Sequence, residues 1–453
     1  MSSHHIRKGF DIRIAGKPAA NVADAPEPRI VALDPHEFPT VKGKVLVEEG
    51  DTVETGTPLM LDKLDRDVQF LSPATGRVRR VVYGERKSPQ RIEIEVAGPD
   101  RHASIATLDL QRLATTDRAD LILAIKRAGL WPLLRQRPIG RMVKGDVIPT
   151  AIYVNGMDTE PLAADPAFAV AGQGTDLQLG VQLLKRLTSG PVRLTVRGGA
   201  PRPKEFTDLQ GVEVHEFHGP HPAGLVGTHI ARIAPLKAVE TVWYLKAQEA
   251  VLLGRWLRTG QYPWQRLVAV SGSQARQPQY FRIRQGADLT VVHGGQPFDG
   301  DTRIINGTVL NGVAVDAAQA TLGFYAQTVT LIPESGDTRD LIGWMLPQIG
   351  KHSASRAVFS WLAPKQEYVL DARLHGGVRH MVNIGAMEAV LPHDIHPYPL
   401  LRSVLAGDLE EAVQLGLLEL TEEDVALCTF VDPCKQEVGA IVRSGLDMYE
   451  KEG

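Results

Sequence analysis

A chain of 453 residues has the length of about three domains. Its 43% hydrophobic and 23% charged residues are ordinary for a soluble globular protein with ample core. The formal net charge of -3, from 50 basic and 53 acidic residues in interspersed order, speaks against the gathered basic face of a nucleic-acid-binding protein.

The opening Met1-Ser2-Ser3-His4-His5 has the look of a tag remnant, and the residues after it lack the apolar core of a signal peptide. Residues 1–100 read as short strands at 45–47, 59–61, 68–71, 78–83 and 91–96, broken by turns such as Thr55-Gly56-Thr57-Pro58 and Ser72-Pro73-Ala74-Thr75-Gly76. Such punctuation predicts a small all-β sandwich or barrel. Residues 101–262 alternate helix and strand. Helices are expected at 117–127, 176–187 and 249–257, and strands at 150–154, 191–196, 212–217 and 241–245. That alternation predicts a mainly parallel sheet with helices packed on it.

From 263 to 335 strands return, at 267–270, 280–283, 289–292, 303–305 and 328–332, and the tail 336–453 is helical in texture. Thr421-Glu422-Glu423-Asp424 is an N-terminal capping pattern with acids in the first turn. The last helix places Val438, Ile441, Val442, Leu446 and Tyr449 along one stripe. No segment approaches the ~20 apolar residues that cross a bilayer, so work at a membrane requires docking onto other subunits.

Four features are candidates for chemistry. Lys63 lies between the 59–61 and 68–71 strands, where biotinyl and lipoyl domains carry their modified lysine. The stretch from it to Ser72-Pro73 is longer than in such carriers, and Asp65, Arg66 and Asp67 crowd it with charge, which favours an unmodified scaffold. Gly172-Gln173-Gly174-Thr175-Asp176 precedes a helix, yet Leu177 stands where a dinucleotide fingerprint needs its third glycine. The histidines at 215, 218, 221 and 229 could suggest a metal. Strand alternation sends His215 and His218 to opposite faces, and Pro220 and Pro222 forbid a helix that would reunite them. No metal is expected there. Cys428 and Cys434, the only two cysteines, exclude a disulfide framework and point to a reducing, cytosolic compartment. Two thiols are too few for a four-thiolate iron–sulfur cluster.

Several blocks together resemble the A subunit of the bacterial Na+-translocating NADH:quinone oxidoreductase. They are the opening from Ile6-Arg7-Lys8-Gly9-Phe10-Asp11 to Gly16-Lys17-Pro18, the run Gly219-Pro220-His221-Pro222-Ala223-Gly224-Leu225-Val226-Gly227-Thr228-His229-Ile230, Leu427-Cys428-Thr429-Phe430-Val431-Asp432-Pro433, and Met448-Tyr449-Glu450-Lys451-Glu452-Gly453. The resemblance implies a multidomain α/β protein: a biotinyl/lipoyl-like β domain at 1–100, a Rossmann-like domain at 101–262, a ubiquitin-like β-grasp module of the SLBB type at 263–335, and a helical domain at 336–453. It further implies a peripheral subunit on the cytoplasmic face of the bacterial inner membrane. That subunit would be held by the other members, especially the membrane subunits, of a six-subunit complex carrying electrons from NADH to quinone while exporting sodium. The complex's flavins (FMN, FAD, riboflavin) and iron–sulfur centre are expected on other subunits, with no cofactor on this chain and no complete catalytic site in it. Two other readings remain: an NADH/FMN-binding flavoprotein of a related complex, and a lipoyl or biotinyl carrier.

A quinone headgroup is flat and has two acceptor oxygens, so it needs an apolar slot and one or two donors. Phe217, Leu225 and Val226 are the candidate slot, and His218, His221 and His229 the candidate donors. Histidine titrates near neutrality and would pass protons toward a reduced quinone.

Overall fold

A computed structural model describes residues 2–237, 240–334, 351–354, 358–374 and 376–452. The expected alternation of strand and helix builds a seven-stranded sheet. Its order is Ser2–His5, Glu213–His218, Val192–Arg197, Ile152–Asn155, Val242–Lys246, Arg135–Arg137, Arg141–Met142. The first five strands run parallel, Arg135–Arg137 runs against them, and Arg141–Met142 pairs antiparallel with Arg135–Arg137. Ile152–Asn155 is buried along its whole length, as a central parallel strand covered on both faces must be. Helices Gly174–Leu187 and Ala247–Thr259 lie side by side. A side chain at Gly180 would meet Ala250 O at 2.0 Å and one at Gly254 would meet Asp176 O at 1.7 Å, so both helices need glycine at their crossing.

Within the span expected as the β domain, the opening residues pair with sheets elsewhere in the chain. Ser2–His5, which reads as a tag remnant, is the edge strand beside Glu213–His218. Ile12 and Ile14 pack into the C-terminal core. Ala19–Asp24 then adds an outer strand to the β-grasp sheet. One extended segment thus ties three parts of the chain together, and its polar, irregular sequence carries no periodicity that would reveal this.

The β domain begins at Ile30. A four-stranded sheet (Ile30–Leu33, Pro89–Val96, Gly76–Tyr83, Thr52–Val53) faces a three-stranded one (Gly43–Val45, Pro58–Asp62, Gln69–Leu71) across a core including Val31, Leu59, Met60, Ile92 and Ile94. The β-grasp sheet runs Val313–Val315, Thr302–Asn306, Thr328–Pro333, Gln265–Ser271, Gln279–Arg284, with Ala19–Asp24 outermost. The expected strand at 289–292 is instead the 3-10 helix Leu289–His293. Its Thr-Val-Val composition suits a strand, but the Asp288 carboxylate accepts from Thr290 N–H at 2.8 Å and Gly294 closes the turn in the left-handed region, and these local signals prevail.

The α-helices of the tail are Pro397–Ala406, Leu409–Gln414, Glu422–Val431 and Val438–Glu452, around Leu400, Leu417, Cys428, Val442 and Leu446. Thr421 caps Glu422–Val431 as its sequence predicts, with Thr421 N–H donating to Asp424 Oδ2 at 2.8 Å. The part of the tail at 335–350 lies outside the described residues. Within the described part of 351–396 the only helical turn is the 3-10 turn Phe359–Leu362, so the helical texture expected from 336 is found from Pro397 onward. Among the described residues no helix is long and apolar enough to cross a membrane.

Candidate functional site

Taken in chain order, the strands Ile152–Asn155, Val192–Arg197, Glu213–His218 and Val242–Lys246 stand in the sheet as fourth, third, second, fifth. The order reverses between Ile152–Asn155 and Val242–Lys246. The crevice outside the carboxyl ends of the strands at such a switch point is where open α/β sheets bind ligands. Here Gly156-Met157-Asp158-Thr159-Glu160 leaves the first strand and Lys246 ends the other. Lys246 Nζ lies 3.7 Å from Asp158 Oδ2, with side chains 31% and 10% exposed, so the pair is sheltered yet reachable from solvent. Glu160 N–H donates to Asp158 Oδ1 at 2.9 Å. The Glu160 carboxylate accepts from Thr308 Oγ1 at 2.7 Å and from the Asn311 amide, which fastens the crevice to the β-grasp module. Burial, reinforced by the Glu160 charge and opposed by Lys246, pushes the Asp158 carboxyl up to about 6. Burial also raises Glu160. For Lys246, burial works downward but Asp158, Glu160 and Glu249 overcome it, and the ammonium is held charged. The Asp158 carboxyl, raised in proton affinity beside a fixed cation, can hold and release a proton near neutral pH, and Glu160 is shifted in the same direction.

The histidine segment forms the wall behind this crevice. Asn155 Nδ2–H donates to Gly224 O at 2.9 Å, and Thr159 Oγ1 accepts from Gly224 N–H at 2.8 Å and lies 3.2 Å from His221 Nδ1. His221 N–H donates to Asp11 Oδ1 at 2.8 Å. Phe217, His221, Leu225, Val226 and His229 are all buried, whereas His218 is half-buried. Phe217 packs with Ile6, Met157 and Ala223 and against the His229 ring, centroids 4.3 Å apart. Val226 packs with Tyr153, Ile230 and Tyr244. His218 stacks on His5 at 4.5 Å, while His215, one of its ring nitrogens 3.3 Å from His4 Nε2, is on the opposite face, as strand alternation requires. Neither deep histidine titrates near neutrality: burial pushes His221 down to about 4 and His229 down to about 3. Burial thus works against the proton-passing role expected of these two, whereas it raises the proton affinity of the carboxyls at the crevice. Asp158, Glu160 and Lys246 escaped the sequence reading, which stopped at the turn Asn155-Gly156. The signal was position alone: polar residues immediately after the first strand of an alternating domain.

Three family models match the chain: the NqrA N-terminal barrel-sandwich hybrid domain over residues 4–97, the NqrA second alpha/beta domain over 116–262, and the NQRA C-terminal domain over 267–317. The A subunit of the Na(+)-translocating NADH-quinone reductase of Neisseria meningitidis serogroup B is 39% identical over 453 residues, covering 99% of both chains. That of Yersinia pestis bv. Antiqua is 39% identical over 450 residues and that of Neisseria gonorrhoeae 38% over 455, again covering 99% of each chain. The chain belongs to this family. It is accordingly one of the subunits of a sodium-translocating NADH:quinone reductase.

Membership raises the question of redox groups on the chain itself. The glycine loop does not fit a pyrophosphate: Gly172 N–H donates to Glu205 Oε1 at 2.7 Å, so a carboxylate already occupies the amide that a phosphate would use. Asp176, in the first turn of the helix, is held by Arg258 Nε at 2.6 Å and Arg255 Nε at 3.4 Å. The groove beside this turn, lined by Gly174, Thr175, Gln178, Lys204, Glu205 and Asp208, has no surplus of positive charge. The cysteines do not fit an iron–sulfur cluster either. Both are buried, and burial pushes the Cys428 thiol up to about 12, far from the thiolate that a cluster requires. Among the described residues no three His, Cys, Asp or Glu gather to hold a metal ion. Lys63 is exposed, but its hairpin is clamped to the Arg118–Arg127 helix, with Lys126 Nζ 2.6 Å from Asp65 and Arg127 2.9 Å from Asp67. A carrier lysine needs a freely presented tip, and this one is docked.

Proposed function

We propose that the chain is a peripheral subunit on the cytoplasmic face of the bacterial inner membrane and serves the quinone-reduction step of its complex. In this reading its α/β domain is Rossmann-like in ancestry and its tail a helical docking domain. Flavins and the iron–sulfur centre reside on other subunits, and the membrane subunits hold it in place. The observation that carries the reading is the lining of the switch-point crevice. Where a nucleotide-binding relative of this architecture would receive a pyrophosphate, Asp158 and Glu160 present negative charge, which repels phosphate and stores protons.

Reduction of a quinone to a quinol takes two electrons and two protons. The electrons come from NADH through carriers elsewhere in the complex, and each quinone oxygen ends by forming an O–H bond. A headgroup at the crevice mouth would set one oxygen toward the Lys246 ammonium and draw its protons from the Asp158 and Glu160 carboxyls, which solvent then recharges. Phe217, His218, His221, Leu225, Val226 and His229 act here as the packed wall that fixes Thr159 and the mouth, with the outward-facing His218 nearest to solvent among them. Photoaffinity labelling of the assembled complex with an azidoquinone tests the placement. Label on peptides containing Asp158–Glu160 or Lys246, displaced by excess quinone, is expected. Label confined to other subunits would refute it.

A further inference from the structure

Fifteen large apolar side chains are exposed among the described residues, and eight of them fall within residues 359–384. The 3-10 turn Phe359–Leu362 is inside out: Ser360 is 3% exposed, whereas Phe359, Trp361 and Leu362 are 48%, 56% and 63% exposed. It is also rigidly mounted. Arg13 donates to Ser360 O at 2.8 Å and to Ala363 O, and its guanidinium lies over the buried Tyr368 ring at 5.4 Å. Tyr368 and the Arg13–Ala15 backbone exchange hydrogen bonds of 2.9 Å. Farther along, Arg379 N–H donates to Cys434 O at 2.9 Å and Arg379 O accepts from the Gln436 amide. The stretch is stapled to the protein at both ends with Val378 and Ile384 still 70% and 64% exposed. Hydrophobic collapse would have turned these residues inward had nothing else covered them.

We infer that residues 359–374 and 376–384 form the docking surface for another protein subunit of the complex, one presenting an apolar face complementary to this stretch. The inference rests on the subunit reading above and adds the place of contact. The eight side chains together expose on the order of 800 Å², about what one partner contributes to a standard-size interface. Charge decides between a protein and a lipid surface. Over 359–384 the basic residues Lys365, Arg373 and Arg379 stand against the acidic Glu367 and Asp371, a surplus of one, well short of the basic cluster that holds a peripheral protein to an anionic bilayer. Tryptophan and phenylalanine with more arginine than lysine is the composition of a protein interface core.

The test introduces Trp361→Ser with Leu362→Ser, and separately Val378→Ser with Ile384→Ser, into the full chain expressed with the rest of the complex. A Val313→Ser chain, altered at a residue 67% exposed on the β-grasp edge, serves as control. Each double variant is expected to keep the isolated chain's circular dichroism and melting temperature while its recovery with the tagged complex falls at least tenfold, and the control is expected to assemble normally. Recovery of both double variants at wild-type levels overturns the surface. So does loss of binding to phosphatidylglycerol vesicles with assembly intact, which would make lipid the occupant. Equal hydrogen-exchange protection of 359–384 in the free chain and the complex also overturns it, since the chain's own residues would then be the cover. If the wild-type chain itself fails to co-purify, the subunit reading falls and takes this surface with it.

Discussion

Replacing His229 by glutamine isolates one buried neutral imidazole in the wall behind the crevice. The ring is fully buried, its Nε2 lies 2.9 Å from Ala223 O, and burial pushes its pKa down to about 3. Glutamine keeps a nitrogen donor for that carbonyl and removes the titration. A folded pKa below the unfolded value of ~6.5 means that the unfolded chain binds the proton first, so the stabilisation is whole above ~6.5 and is lost as pH falls from there toward ~3. At about pH 5.5, one unit below the unfolded pKa, proton uptake favours the unfolded state by ~1.4 kcal/mol, against less than ~0.1 kcal/mol at about pH 7.5. The stability advantage of wild type over His229→Gln should therefore shrink by ~1.3 kcal/mol between those two pH values. Urea unfolding of both chains at each pH, followed by tryptophan fluorescence, measures it, and the other titrating groups cancel in the difference. A gap that stays constant or widens at the lower pH refutes the account of a buried, neutral His229.

The Arg137 and Asp424 side chains meet at 2.6 Å with 1% and 0% exposure, joining the α/β sheet to the C-terminal helices. Asp424→Asn leaves the guanidinium uncompensated and should cost about 3–5 kcal/mol in urea unfolding; a loss below ~1 kcal/mol would contradict a buried ionised pair. Gly227→Ala would normally favour a helix by ~1 kcal/mol, but a side chain there meets Asp424 Oδ1 at 2.0 Å. Net destabilisation is expected, and a more stable Gly227→Ala chain would show that the junction is looser than described. Intact-mass measurement of the chain from its native host should give the unmodified mass for wild type and Lys63→Arg alike. A lipoyl- or biotin-sized increment absent from the variant would revive the carrier reading.

Elements whose signal is local were legible. The strands at 59–61 and 91–96, the helix 176–187 and the Thr421 cap each announce themselves through alternation, a 3.6-residue stripe or a capping pair, and all appear in the fold. The strand read at 289–292 failed because Asp288 and Gly294 supply the caps of a short turn that outweigh three strand-forming residues. What no local pattern reports is threading. Nothing in Ser2–His5 or Ala19–Asp24 says that each completes the sheet of a different unit, because the partners lie some 200 to 260 residues away. The wall of the site was visible as the Gly/Pro/His run at 219–229, but the burial of its histidines was not. A histidine's usefulness as a proton donor depends on exposure, which tertiary packing decides. The crevice residues Asp158, Glu160 and Lys246 lie in two strands' exits separated by the sheet's reversal, and only the strand order brings them together.

The most direct test of the central claim is the rate of quinone reduction by the complex assembled with Asp158→Asn and Glu160→Gln, measured beside NADH oxidation with an artificial electron acceptor. Burial with a raised proton affinity at both carboxyls predicts that NADH oxidation stays at the wild-type rate while quinone reduction falls at least tenfold, a loss of about 1.4 kcal/mol or more in transition-state stabilisation. Quinone reduction at the wild-type rate in a fully assembled variant complex would contradict a role for this crevice in that step.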